Sequence, residues 1–323
     1  MEELDRFLRV FQQLQIDPFA VDEYRRALGI QRILSGETTN AVATELRLSK
    51  HWLRHTTDAV AARGLSALVP HLSPSEQDVH ARRLGIAQML LGTLAERRFI
   101  LLSDEITGGG RLYIEDHVRA RTDTDFRILN GQRKPVCRMN IKFHGTLFQR
   151  AQEIVSLPSD DCFALATYKI YNALRRQEQE ALPYVFFVLS IRDLSAASIA
   201  PYIPEEFVWL LSVLAGRRAV EEAIVSALSR PEYESRFQSI FDRMAAGEFR
   251  IISASKAYAL LSEKLFDRVF ALRIPRFNRN YRNAEIDMHF SLSRELTPLV
   301  TFLEIVARES VQVLNVRLYR GDI

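Results

Sequence analysis

An acid and a base that a hairpin could bring face to face are the residues of first chemical interest. Asp123 and Asp125 precede the apolar run "FRILN", and Lys142 closes "RMNIK" on the next one. Between them "NGQRK" (Asn130 to Lys134) carries an Asn-Gly hairpin signal. Alternation along a strand puts Asp123 and Asp125 on one face, and likewise Asn140 and Lys142, so a tight hairpin brings Asp125 to Lys142. Upstream, Glu96 in "GTLAERRFILL" sits on a helix leading into the strands and could point at the same strand ends. Two carboxylates and a nearby lysine are what metal-assisted phosphodiester hydrolysis needs. The carboxylates hold Mg²⁺ and the metal polarises phosphate and acidifies water, while the lysine orients that water or offsets charge on the pentavalent phosphorus.

The elements that must position these residues read as an α/β core. A helix is expected from about Pro74 to Leu102, ended by "TGGG" at Thr107 to Gly110. Strands are expected in "RLYIEDHVRA", "TDFRILN", "PVCRMNIKF" and "YVFFVLSI", and helices in "GTLFQRAQEIV" and "FALATYKIYNALRRQEQE". The order helix, strands, helix, strand is that of an α/β fold. After Pro204 the pattern is mainly helical to about Asp267; the β-leaning "RVFALRIPRF" follows, then a last helix and "VQVLNVRLY". Three parts are expected: a helical module over 1–72, an α/β core over 73–200, and a mainly helical extension over 201–323 that completes the core or dimerises it. "HLSPSEQ" marks the first boundary.

Glu96, then "DTDFRI", then "RMNIKF", then a glycine and a helix with Gln149, resembles the PD-(D/E)xK restriction-endonuclease-like nucleases over about residues 85 to 192. The resemblance implies a metal-dependent nuclease with Mg²⁺ or Mn²⁺ as cofactor. Glu96 would be the helix acid and metal ligand, Asp125 the central metal ligand, Lys142 the motif lysine, and Gln149 a residue that orients water or contacts DNA. Asn140 departs from the pattern, standing where the motif expects Asp or Glu. An amide is a weaker ligand for a hard cation. Either Glu96 or Asp123 supplies the missing charge, or the site binds nucleic acid without cutting. A third reading takes Asp104 and Glu105 as the first acid of a DDE transposase; the two further acids it needs are not evident.

The N-terminal part carries its own signals. "VDEYRRALGIQRILSGETTNAVATELRLSKHWLRHTTDAVAARGLSAL" reads as helices from about Val21 to Leu34, Thr39 to Leu46, and a third, capped by Ser49, to Arg63. Val42, Leu46, Leu48 and Leu53 are spaced to close a core, with Ala43 at a close crossing. This resembles the helix-turn-helix of homeodomain-like and transposase-type DNA-binding domains, although Arg47 stands where the turn usually holds glycine. The resemblance implies that Ser49, Lys50, His51, Arg54 and His55 reach base edges and phosphates from the recognition helix. The alternative for the whole chain is a DNA-binding regulator or assembly subunit with a degenerate nuclease fold. Nuclease cores joined to such modules imply a setting in phage defence or mobile elements, with a homodimer or partner protein for double-strand cutting.

Composition narrows the classes. Apolar residues at 47% and charged residues at 26% are ordinary for a globular chain, and 323 residues suit two domains. A net charge of +3 neither requires nor excludes a polyanionic partner. Cys137 and Cys162 are expected to be buried, reduced thiols, and no Cys/His spacing suggests zinc. No signal peptide or spanning segment is legible, so a cytoplasmic, non-membrane protein is expected. No GxxxxGK[ST] loop occurs, which leaves ATP-driven work without a motif. "ATYKIYNALRR" places Tyr168, Lys169, Tyr171, Arg175 and Arg176 on one helix, and "RIPRFNRNYRN" interleaves Arg with aromatics; either suits a phosphate backbone or a solvated face.

Overall fold

The computed structural model describes residues 2–69, 76–102, 112–117, 126–145, 148, 151–214, 218–266, 276–277, 284–285 and 287–323. The chain is mixed α/β. It begins with α1 (Glu2–Leu14), α2 (Asp22–Leu34), α3 (Thr39–Glu45), α4 (Lys50–Arg63) and the long α5 (Glu76–Leu101). Strands β1 (Leu112–Asp116), β2 (Phe126–Asn130) and β3 (Pro135–His144) come next. A short helix, Ala151–Val155, precedes β4 (Cys162–Ala166), α6 (Thr167–Glu180) and β5 (Tyr184–Ser190). Then follow α7 (Glu205–Val213), α8 (Arg218–Leu228), α9 (Gln238–Ala245), β6 (Glu248–Ser253) and α10 (Ala254–Phe266). The two-residue strands β7 (Arg276–Phe277) and β8 (Ala284–Glu285) pair with each other, ahead of β9 (Asp287–Ser291), β10 (Thr297–Pro298), α11 (Leu299–Arg308) and α12 (Val311–Arg320).

Two compact units divide the chain: Met1–Thr93 with Ala196–Gln238, and Leu94–Ser195 with Ser239–Ile323. The expected stretches 1–72, 73–200 and 201–323 are thus redistributed, for a packing reason. Helix α1 buries Leu4, Phe7, Leu8, Phe11 and Leu14, one stripe at helical spacing, which needs more cover than α2 provides. Helices α7 and α8 supply the rest. Arg6 lies 4.2 Å from the Trp209 ring centre, and Arg230 donates to the carbonyls of Gln13 and Leu14 at 3.0 Å each, a cation at the helix C-terminus.

Helices α2, α3 and α4 take the expected tri-helical form. Val42, Leu46 and Leu53 are buried beside Gly29 of α2, where an added β-carbon would stand 2.9 Å from Leu48 Cδ1 and 3.3 Å from Leu53 Cδ2. The helices approach closely there, and the leucine side-chain ends would have to shift to admit a β-carbon. Arg32 ties α2 to α3, donating to Glu37 at 2.8 Å and to Glu45 at 2.7 Å. The turn between α3 and α4 puts Arg47 at φ 52, so the residue in the usual glycine position adopts the left-handed conformation that glycine would favour.

In the second unit a six-stranded sheet runs in the order β1-β2-β3-β5-β6-β10. β1, β2 and β3 form an antiparallel meander, β3 and β5 pair in parallel, and β6 returns antiparallel to β5. The hairpin after β2 is not a two-residue Asn-Gly turn. The Asn130 side chain accepts from the N–H groups of Gln132 and Lys134 at 2.9 and 2.8 Å, and Arg133, not Gly131, is left-handed at φ 61. Two other expectations are corrected: "FALA" is β4, paired with β9, and β6 interrupts the stretch expected to be helical. "VQVLNVRLY" lies in α12, capped by the Ser310 hydroxyl.

Helices cover both faces of this sheet. From α5, Phe99 packs on Phe126, Phe187 and Phe249, with ring centres 5.0, 5.5 and 5.9 Å away. On the other face α6 seats Ile170 and Ala173 against Phe186, Val188 and Ile252. Cys137 and Cys162 are buried and form no disulfide, and burial pushes the Cys137 thiol up to about 12, so it stays protonated. Among the described residues no helix is long and apolar enough to cross a membrane.

Candidate functional site

The row along β3 that points towards α6 is polar within an apolar sheet. Parallel pairing aligns Arg138 with Tyr184, Asn140 with Phe186 and Lys142 with Val188, so these side chains share a face. Arg138, 7% exposed, forms an ion pair with Glu180 at the end of α6. Gln177, also buried, donates to Ser255 Oγ at 2.9 Å and accepts from the Tyr184 N–H at 3.0 Å. These bonds fix α6 across β3 and β5.

With α6 fixed, its N-terminal two-thirds and β3 line an open cavity of about 300 Å³. Its lining is Asn140, Lys142, Lys169, Asn172, Ala173, Arg175, Arg176, Tyr184 and Phe186. Tyr184 and Phe186 are buried and supply the apolar floor. Lys142 is half-buried and donates to the Ile141 carbonyl at 3.1 Å; Arg175 reaches Asn172 Oδ1 at 3.4 Å. Among the described residues, two lysines, two arginines and two amides line the wall, with no carboxylate. Like charges gathered in a concave, partly apolar site raise the local concentration of anions, so the cavity is built to attract a phosphate or carboxylate. The two asparagines add neutral donors and acceptors beside the charges.

The expected site residues fare differently. Asn140 and Lys142 do share the cavity. Glu96 lies on α5, the helix that packs on the opposite face of the sheet through Phe99, and it is half-buried there and not part of the cavity lining. Asp125 and Gln149 lie outside the described residues, as do Asp123, Asp104, Glu105 and most of "RIPRFNRNYRN". Among the described residues no group of three or more His, Cys, Asp or Glu could hold a metal ion. Two amides among four cations are a poor donor set for Mg²⁺. Asp125, the central ligand of the motif, lies outside the described residues, and the described residues alone supply no ligand set through which a hydrolytic step could be derived.

Lys169, Asn172, Arg175 and Arg176 belong to the site although the motif does not include them. Lys169, Arg175 and Arg176 were visible in the sequence as a charged helix, whereas the uncharged Asn172 gave no signal.

In the first unit, Ser49 caps α4, its hydroxyl accepting from the Trp52 N–H at 3.3 Å. Lys50, His51, Arg54 and His55 are exposed over the next two turns, opposite buried Leu53, Thr57 and Val60. The His51 and His55 rings meet at 4.4 Å. The five predicted residues thus lie together on one exposed helix start. Ser49→Ala should cost about 1 kcal/mol of stability through the lost cap, read by chemical denaturation.

No family model, no curated protein and no solved structure matches this chain.

Proposed function

We infer that the protein acts on nucleic acid, DNA first of all, and seats its phosphodiester backbone in the cavity between β3 and α6. The single observation that carries this reading is the lining: Lys142, Lys169, Arg175 and Arg176 converge with Asn140 and Asn172 on one concave site. Guanidinium and ammonium groups donate to phosphate oxygens with charge assistance, which is how backbone contacts are made without sequence preference. The helix-turn-helix reading of α2 to α4 adds a second contact, with Lys50, His51, Arg54 and His55 available for duplex DNA.

Two readings of the outcome follow. A regulator or assembly subunit that binds without cutting is favoured by Asn140, the amide in the motif's acid position. A metal-dependent nuclease of the PD-(D/E)xK kind is favoured by the order helix, three-strand meander, helix, parallel strand, with Asn140 and Lys142 facing one cavity.

The test measures binding and cutting together. Labelled duplex and single-stranded DNA and RNA are incubated with the full chain in Mg²⁺, Mn²⁺ or EDTA, beside Asp125→Ala and the double variant Lys142→Ala/Arg176→Ala. The double variant should bind about tenfold more weakly, with a salt slope shallower by about one to two. Unchanged binding and slope in that variant would remove the cavity from the interface. Metal-dependent cutting that Asp125→Ala abolishes would establish the nuclease; binding without cutting would establish the regulator.

A further inference from the structure

Helix α6 presents more than the cavity's cations. Tyr168 and Tyr171 are 37% and 49% exposed on the same helix, and Tyr258 on α10 is 42% exposed. Tyr171 and Tyr258 form an edge-to-face pair with ring centres 5.9 Å apart and planes at 69°. Tyr168 lies four residues before Asn172, and Tyr171 four before Arg175, so both tyrosines border the helical face that lines the cavity. Tyr171 and Tyr258 are thus partly exposed beside a cluster of cations, and the Lys169 ammonium lies 5.9 Å from the Tyr168 ring centre.

We propose that this surface selects single-stranded nucleic acid: the cavity holds the backbone while Tyr171 and Tyr258, flanked by Tyr168, stack on unpaired bases. The proposal rests on the reading above, that the cavity takes phosphodiester backbone. A duplex keeps its base faces buried in its own stack, and only an unpaired strand can offer them to tyrosine rings beside the phosphate seat. Cations that follow a backbone, next to aromatic platforms, are the combination by which single strands are bound with little sequence preference.

The test separates stacking from charge. Fluorescence anisotropy compares a short labelled oligothymidylate with an abasic strand of equal length and charge, using the full chain. Wild type should bind the oligothymidylate about tenfold more tightly than the abasic strand. Tyr171→Leu/Tyr258→Leu should erase that preference and leave abasic affinity unchanged, and Tyr171→Phe/Tyr258→Phe should restore it, because phenylalanine stacks without the hydroxyl. Lys169→Ala/Arg176→Ala should weaken both strands alike. Equal binding of the two strands by wild type, a preference that survives in the leucine variant, or failure of phenylalanine to restore it would overturn the stacking proposal. If the charge variant still weakens both strands in any of these cases, the phosphate seat stands without the base platform; a charge variant that weakens neither strand removes the seat and the proposal with it.

Discussion

Gly145→Ala should destabilise the sheet unit by about 3 kcal/mol or more and disturb the end of β3 that carries Lys142. A β-carbon at Gly145 would fall 1.6 Å from the Leu194 carbonyl oxygen, with Leu194 C and a Phe143 ring carbon each 2.7 Å away. A flexible side chain could retreat from such a clash, but a backbone carbonyl moves only with its segment. That segment is held, since Ile191 N–H donates to the His144 carbonyl at 2.9 Å. Leu194 is itself fully buried. Equilibrium denaturation measures the loss; under the proposed function, nucleic-acid affinity should fall with it as Lys142 shifts. A variant within about 1 kcal/mol of wild type would mean that the loop after β5 yields freely.

The second large effect is a loss of stability in acid, traced to His144. Its ring stacks on Phe148 at 5.3 Å and meets the edge of Phe163 at 5.7 Å. Burial in that aromatic setting drives the imidazole down from 6.5 to about 4, against a smaller opposing effect of a hydrogen bond to the Cys162 backbone. In the unfolded chain the ring takes up a proton below about 6.5, whereas in the folded chain it does so only near 4. Between these values the unfolded state binds more protons, so stability is full above about pH 6.5 and falls as pH drops towards 4, by about 3 kcal/mol. Denaturation at neutral pH and near pH 4.5 should show this fall in wild type and a smaller one in His144→Phe. Equal falls in the two proteins would assign the acid sensitivity to other groups, among them Asp161, whose carboxyl is held below its usual range by hydrogen bonds from Ser291 and Ser293 despite the opposing effect of burial.

The strands that position the site were legible because β-rich runs are set off by turn residues: β1, β2 and β5 fall within the segments expected, and β3 runs one residue past its own. β4 was hidden because "FALA" runs into Thr167 and α6 with no glycine or proline between them, so a helical period absorbs it. β6 was hidden for a similar reason, as a six-residue strand leading straight into α10. Alternation correctly put Asn140 and Lys142 side by side. It could not say that α6 lies over them, since that depends on the parallel pairing of β3 with β5 and on the tertiary bonds of Gln177 and Glu180. The cations of α6 were visible as a charged helix face, but nothing local joined them to β3. Glu96 shows the converse limit: a helical period says which side of α5 is apolar and not which face of a sheet that side will choose.

The division of the chain has a consequence for its synthesis. Each compact unit is interrupted by part of the other, for residues 94–195 intervene within the first and residues 196–238 within the second. The N-terminal helices therefore leave the ribosome long before α7 and α8, which complete the cover of α1, and β4 must wait for β9. Closing pairs so distant in sequence carries a loop-entropy cost and slows folding, with apolar stripes uncovered in the meantime. A fragment cut near residue 72 would lack the cover that α7 and α8 give to α1, so the exposed start of α4 is best studied within the whole chain.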